Sequence, residues 1–135
     1  ALKGGGAFLN GRRVKVSAVR TLSGSLLATG FPYDIRNDKN NNLDLFSRMA
    51  LSAQAIRRAG AAALDLCYVA AGRFDGFWEL KLKPWDTAAG CLLVTEAGGR
   101  VTDLTGAPYS FSSPNVLASN GLLHDDMIRV LHPPA

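Results

Sequence analysis

Apolar residues recur along this chain at two different spacings, and the switches between them divide it into short strands and helices. Near the start, Ala7-Phe8-Leu9 and the alternating Arg13-Val14-Lys15-Val16 flank Asn10-Gly11, a strong hairpin signal because both turn residues tolerate positive φ. Ser25 to Thr29 is a short apolar run stopped by Gly30 and Pro32, which predicts a buried strand, and the polar stretch Asp34 to Asn42 reads as a loop. Leu43, Phe46, Met49, Ala50, Ala53 and Ile56 then recur at intervals of three and four. That spacing predicts one helix with a continuous buried stripe, capped by Asn41 or Asn42 and ended by Gly60.

Ala61 to Ala71 is apolar nearly all round, through Leu64, Leu66, Cys67 and Val69, so a second, buried helix is expected there, stopped by Gly72. Asp75 to Leu80 has the aromatic content of a strand, and Pro84 marks the turn into a third helix, Trp85 to Ala97. Beyond Gly98-Gly99, Arg100 to Leu104 alternates as a strand, Val116-Leu117-Ala118 forms another, and Leu122 to Leu131 closes the chain as a helix. Strands alternating with helices predict a layered α/β architecture. The first strand of the hairpin has few residues before Lys3-Gly4-Gly5-Gly6, so the chain is expected to begin partway through a structural unit.

Composition narrows the class. With 135 residues, 47% hydrophobic and 19% charged, the chain is sized and composed for one globular domain. No apolar stretch is long enough to span a bilayer, and Ala1 to Gly6 has no apolar core of a signal peptide, so a soluble cytoplasmic protein without a membrane partner is expected. The net charge is +4. The basic residues are scattered in pairs such as Arg12-Arg13 and Arg57-Arg58 rather than drawn into a stripe with interleaved aromatics, which points away from nucleic acid and fits a small phosphate ester. Cys67 and Cys91 stand apart inside apolar runs and are expected as buried thiols, neither disulfide nor zinc ligands. His124 and His132 lack partners at ligand spacing and are expected at the surface.

Candidate chemistry concentrates in Glu79 to Gly90, where a strand ends, Pro84 turns the chain, and Asp86 sits at a helix start. Read from spacing alone, Asp86 is a helix cap and Trp85 a staple against its first turn. Beside that stands a second reading, in which the positive end of the helix keeps the carboxylate ionised and able to ligate Mg²⁺. Ala88, Ala89 and Gly90 would let a ligand approach closely. Lys81 and Lys83 would add positive potential for a phosphate, or form a solvated strand edge.

The run WDTAAGCLLVTEAGG, Trp85 to Gly99, resembles the second signature of the inositol monophosphatase family. It is followed at the expected distance by VTDLTGAP and by Asn115-Val116-Leu117-Ala118-Ser119-Asn120. GAAALDLCYVAAGRFDGFWE, Gly60 to Glu79, is similar to the family's substrate-side helix and strand, and GGGAFLNG to its central hairpin. The resemblance spans essentially the whole chain. It implies the family's layered α/β sandwich, of which residues 1–135 would be the C-terminal half. It also implies a Mg²⁺-dependent phosphomonoesterase acting on inositol monophosphate or a related sugar phosphate, and a homodimer at full length. Asp86 would ligate a catalytic Mg²⁺, Glu79 would hydrogen-bond the substrate's ring hydroxyls, and Gly60, Ala61 and Ala62 would form a loop against the substrate. Family members often carry a hydroxyl residue where this chain has Ala61, which leaves only backbone contacts there.

The family's other metal ligands come from an upstream Glu and an Asp-Pro-Ile-Asp-Gly-Thr type motif, and nothing like that motif occurs in this chain. The isolated chain is therefore expected to hydrolyse little. Within the superfamily, a fructose 1,6-bisphosphatase or a 3′-phosphonucleotide phosphatase is the enzyme alternative. From another class, a non-catalytic binding or assembly module is the alternative that the missing motif suggests.

Overall fold

The computed structural model describes residues 1–132. The hairpin forms where Asn10-Gly11 predicts it: β1 (Ala7–Leu9) pairs antiparallel with β2 (Arg12–Val14), with both turn residues at positive φ. A second sheet has five strands, β3 (Leu26–Thr29), β4 (Ala55–Arg57), β5 (Gly76–Leu80), β6 (Arg100–Thr102) and β7 (Asn115–Ser119), in the order β4-β3-β5-β7-β6. β4, β3 and β5 run parallel, while β7 lies antiparallel between β5 and β6. Parallel neighbours need crossovers, and helices α1 (Leu43–Ala50) and α2 (Ala62–Ala70) supply them. α3 (Pro84–Glu96) follows β5, and α4 (His124–Leu131) follows β7.

Side chains alternate across a strand, so the sheet sorts its apolar residues onto two faces. Ala28, Phe77, Val116 and Ala118 pack with Leu66 and Val69 of α2 and Val94 of α3. Leu27, Trp78, Leu80 and Leu117 pack on the other face with Met49 of α1 and Met127 and Leu131 of α4. The result is the predicted layered architecture, helices over both faces of one sheet. α2 packs tightly on α3 at Gly90, where a Cβ would stand 2.5 Å from the Cβ of Leu66. The small residue thus admits a neighbouring helix, and not the ligand that the sequence suggested.

The predicted helix from Leu43 to Ile56 is corrected. α1 ends at Ala50, and residues 55–57 form the edge strand β4, paired with β3 through Leu26↔Ala55 and Leu27↔Ile56. The Gln54 N–H bonds the carbonyls of Leu22 and Ser25, both at 3.1 Å, which turns the backbone out of helical course and into the sheet. Three strand residues are too few to display a period of two, and Ala53 and Ile56, three apart, continue the helical rhythm. Both do pack against the α1/α4 core, so the pattern predicted burial correctly and geometry wrongly. At the other end of the predicted stripe, Leu43 is 48% exposed.

The start of α1 is divided between the two asparagines that the sequence offered. Asn42 takes a left-handed backbone (φ 74°) and makes no side-chain bond to its own helix. Its Nδ2 instead donates to Gly30 O at 2.7 Å and Thr29 Oγ1 at 3.0 Å, and its Oδ1 accepts the Trp78 indole N–H at 2.7 Å. A buried amide so bound is fully committed, and it ties the end of the Asp34–Asn42 loop to β3 and β5. The free side-chain acceptor at the helix start is Asn41, whose Oδ1 takes the Leu43 N–H at 3.2 Å. In α2 the hydropathy expectation inverts: Leu64 is 54% exposed whereas Asp65 is 1% exposed. Cys67 and Cys91 are half-buried.

His124 is not at the surface. It is fully buried, with Nε2 2.8 Å from Thr102 Oγ1 and Nδ1 2.8 Å from Ser119 Oγ, so it pins α4 to β6 and β7. Burial, with Arg100 nearby, lowers its pKa from 6.5 to about 4, against a smaller opposing pull from Asp125. Between those values the unfolded chain binds the extra proton, so this contribution to stability is complete above pH 6.5 and is lost as the pH falls. In the same acid range Asp65 works the other way, since its raised pKa makes the folded state the better proton binder. Comparing wild type with His124→Gln, which keeps hydrogen-bonding groups but cannot charge, isolates the histidine. From pH 7 to pH 5 the wild type is expected to lose roughly 2 kcal/mol more than the variant in denaturant titrations. Parallel pH curves would contradict the assignment.

Candidate active-site cleft

At the C-terminal ends of β3 and β5, the place where α/β sheets commonly bind ligands, the loops separate around a cleft of about 690 Å³. Five residues singled out in the sequence meet there: Gly60, Ala61 and Ala62 leading into α2, Glu79 on β5, and Asp86 in the first turn of α3. Pro84 begins α3 and aligns its first turn, and Asp86 Oδ2 accepts the Lys83 N–H at 2.9 Å. Asp86 therefore does cap its helix, as its spacing alone predicted. Capping and metal binding do not exclude one another, because a half-exposed carboxylate has a second oxygen to offer. Trp85 is no staple: it is 79% exposed at the lip of the cleft.

The Glu79 carboxylate rests against the backbone of Gly30, where a Cβ would lie 2.2 Å from its Oε1. Only glycine leaves room for it, and Asn42 fixes that glycine through its carbonyl. Burial raises the Glu79 pKa to about 7, helped by the negative charge of Asp65 and less by that of Asp86, with Arg58 opposing. Asp65 itself is raised to about 6 by burial.

Two residues of the cleft, Asp65 and Arg58, escaped the sequence reading, and Lys81, singled out there for its charge, is held in a way its spacing does not reveal. Asp65 sits in what reads as an apolar helix, and nothing in local spacing marks it. Arg58 reads as half of a surface pair. Lys81 occupies the left-handed region at φ 59°, unusual for a residue with a side chain, and its ammonium bonds Asp34 Oδ2 at 2.8 Å and Asp38 Oδ2 at 2.6 Å. These carboxylates raise the Lys81 pKa, and its charge holds the loop at residues 34–38 against the cleft. Lys81 is thus engaged internally, which leaves Arg58 and Lys83 as the cleft cations without an ion pair among the described residues.

Whether these residues fit Mg²⁺ follows from the donor set. A half-exposed carboxylate at a helix start is a suitable hard oxygen ligand, yet among the described residues no three His, Cys, Asp or Glu side chains are grouped so as to hold an ion. Asp86 fits one corner of a Mg²⁺ site and not a whole one. A second, more open hollow of about 510 Å³ over Ala88, Cys91, Leu92 and Phe111 has Glu96 as its single carboxylate. Among the described residues no helix is long and apolar enough to cross a membrane.

The fold is that of solved inositol monophosphatase structures. The profile of the inositol monophosphatase family matches residues 1–133, and the chain belongs to that family. It is 47% identical over 137 residues to the Nus factor SuhB of Pseudomonas aeruginosa, covering 98% of this chain and 50% of the relative. It is 43% identical to the chloroplastic phosphatase IMPL1 of Arabidopsis thaliana, covering 98% of this chain and 36% of that protein. An inositol monophosphatase structure from Anabaena (Nostoc) superposes with a TM-score of 0.93 at 46% identity, over 96% of this chain and 51% of that one. The chain thus spans about half the length of the curated relatives it matches, or less.

Proposed function

We propose that this chain supplies the sugar-binding end and one metal ligand of a Mg²⁺-dependent phosphomonoesterase acting on inositol monophosphate or a related sugar phosphate. The observation that carries this reading is the convergence of Asp86, Glu79 and the Gly60-Ala61-Ala62 segment on one cleft, in a chain of the inositol monophosphatase family. Asp86 would hold Mg²⁺, which when bound lowers the pKa of a water and neutralises charge on phosphoryl oxygens. The backbone of Gly60 to Ala62 lines one wall, where a substrate can be gripped without a hydroxyl side chain at position 61. Arg58 and Lys83 attract the phosphate through space. Glu79, at the closed end, accepts hydrogen bonds from ring hydroxyls and orients the leaving group.

The full-length protein, meaning this chain with the residues that complete its relatives' length, tests the reading. Purified with Mg²⁺ and offered inositol 1-phosphate, fructose 1,6-bisphosphate and a 3′-phosphonucleotide, it is expected to release phosphate fastest from the first. No release from any of them would overturn the reading. Glu79→Gln is expected to raise KM about tenfold at pH 8, the worth of one charge-assisted hydrogen bond, with kcat changed less. Below pH 6 the two proteins should converge, because glutamine resembles the protonated acid. A normal KM at pH 8 would remove Glu79 from the sugar contact.

A non-catalytic binding or assembly role is the second reading, favoured by the name Nus factor carried by SuhB relatives. An inactive full-length protein that still binds a protein partner would support it.

A further inference from the structure

Among the described residues, Asp65 is the one carboxylate that is both buried and short of partners. It is 1% exposed, it lines the Glu79 cleft, and its Oδ1 accepts no hydrogen bond. A buried carboxylate oxygen without a donor is costly, and it persists in folded proteins mainly where something else requires it. α2 does not require it: the helix is otherwise apolar on this side, with Leu66, Val69 and Ala70 buried. Building on the proposed function, which makes Glu79 the contact to substrate hydroxyls, we propose that Asp65 is a positioning residue for the sugar-binding end of the cleft. It acts through Glu79, deciding whether a ligand hydroxyl meets a bare acceptor or a proton-bearing group.

The charges facing the pair are few. Arg58 approaches from the β4–α2 segment, Lys81 and Lys83 from the β5–α3 turn, Asp86 from α3 and Asp34 from the loop after β3. Lys81 is held by Asp34 and Asp38, and Asp86 is turned to the Lys83 N–H. Of the two carboxyls, Asp65 ionises first, against burial alone, and Glu79 must then ionise beside an existing negative charge. The Gly30 backbone holds the Glu79 carboxylate in its niche, so the side chain has little room to swing away from that charge.

Near neutral pH the pair accordingly retains a proton, and the end of the cleft offers a hydroxyl both a donor and an acceptor. A neutral polyol can use either, and the bare carboxylate is the stronger acceptor of its hydroxyls. Substrate affinity should strengthen as the pH rises through the Glu79 midpoint.

Carboxyl ¹³C NMR of the metal-free protein, with Glu79 assigned through Glu79→Gln, measures this without activity. The wild type is expected to titrate Glu79 near 7, and Asp65→Asn to bring that midpoint down by about one pH unit, since burial remains while the neighbouring charge is gone. In the full-length enzyme the pH dependence of KM should move by the same amount while that of kcat stays. Thermal stability should not fall, because an unpaired buried charge is removed. Asp65→Leu serves if the asparagine variant does not fold. An unmoved Glu79 midpoint, or a wild-type midpoint below 5, overturns the proposal. A shifted midpoint in a protein that hydrolyses no phosphate ester would uphold the carboxyl coupling and sink the phosphatase reading instead.

Discussion

Asp86→Asn in the full-length protein is expected to cut phosphate release by at least about 100-fold at limiting Mg²⁺, which corresponds to about 2.7 kcal/mol of transition-state stabilisation. The substitution is close to isosteric, and the amide oxygen can still accept the Lys83 N–H that Asp86 Oδ2 accepts at 2.9 Å. The cap therefore survives, and stability should change by less than about 1 kcal/mol. What is lost is negative charge at the mouth of the cleft. A neutral amide is a poor ligand for a hard divalent cation, so part of the activity should return as Mg²⁺ is raised. Metal titration of activity, run beside a denaturation curve, separates the two roles. A rate within a fewfold of wild type at limiting Mg²⁺ would mean that Asp86 is a helix cap and nothing more.

Trp78→Ala is expected to be the most destabilising single change in the sheet, by about 4 kcal/mol or more. The side chain is fully buried against Leu27, Met49, Leu117 and Met127, so its removal leaves a cavity that the sheet cannot close. Its indole N–H also satisfies Asn42 Oδ1 at 2.7 Å, and the orphaned amide would add a further penalty on the order of 1–3 kcal/mol. Because the same Asn42 fixes the Gly30 carbonyl, whatever folded protein remains should bind substrate less well through a displaced Glu79. Trp85→Ala is the control. It removes a residue of the same type from a 79% exposed position and should alter stability by less than about 0.5 kcal/mol. Urea midpoints at constant m-value measure both, and equal losses would contradict the burial assignments.

The contrast between the two tryptophans shows where sequence reading stops. Trp78 stands just before the stretch that looks most like a site and Trp85 inside it, and position along the chain does not reveal that one is the centre of a core and the other a rim. Strands and helices with a clear period or a clear stop were legible: the hairpin at Asn10-Gly11, β5 with its aromatics, α3 between Pro84 and Gly98. β4 was not, because three edge residues carry too little pattern to compete with the helical spacing of Ala53 and Ile56. His124 was misplaced, and Asp65 passed over, for a related reason. Hydropathy predicts polar groups outside, and both are inside. For His124 the hydroxyls of Thr102 and Ser119 make that possible, partners 22 and 5 residues distant in sequence.

Within the cleft, Glu79, Asp86 and the Gly60-Ala61-Ala62 segment were found through motif resemblance, since spacing alone favours a cap at Asp86. Gly30 and Arg58 carry no local signal of their function. The need for glycine at position 30 comes from a carboxylate 49 residues away in sequence, and becomes visible only when β3 and β5 lie side by side.

The central claim is that the Asp86 carboxylate faces a divalent cation next to a bound phosphate. A crystal structure of the full-length protein with Mg²⁺ and inorganic phosphate tests it directly. The account predicts an Asp86 oxygen about 2.1 Å from the ion, with phosphate on the ion's other side and Glu79 still seated against Gly30. Mg²⁺ and phosphate bound elsewhere, with Asp86 engaged only by the Lys83 N–H, would contradict it.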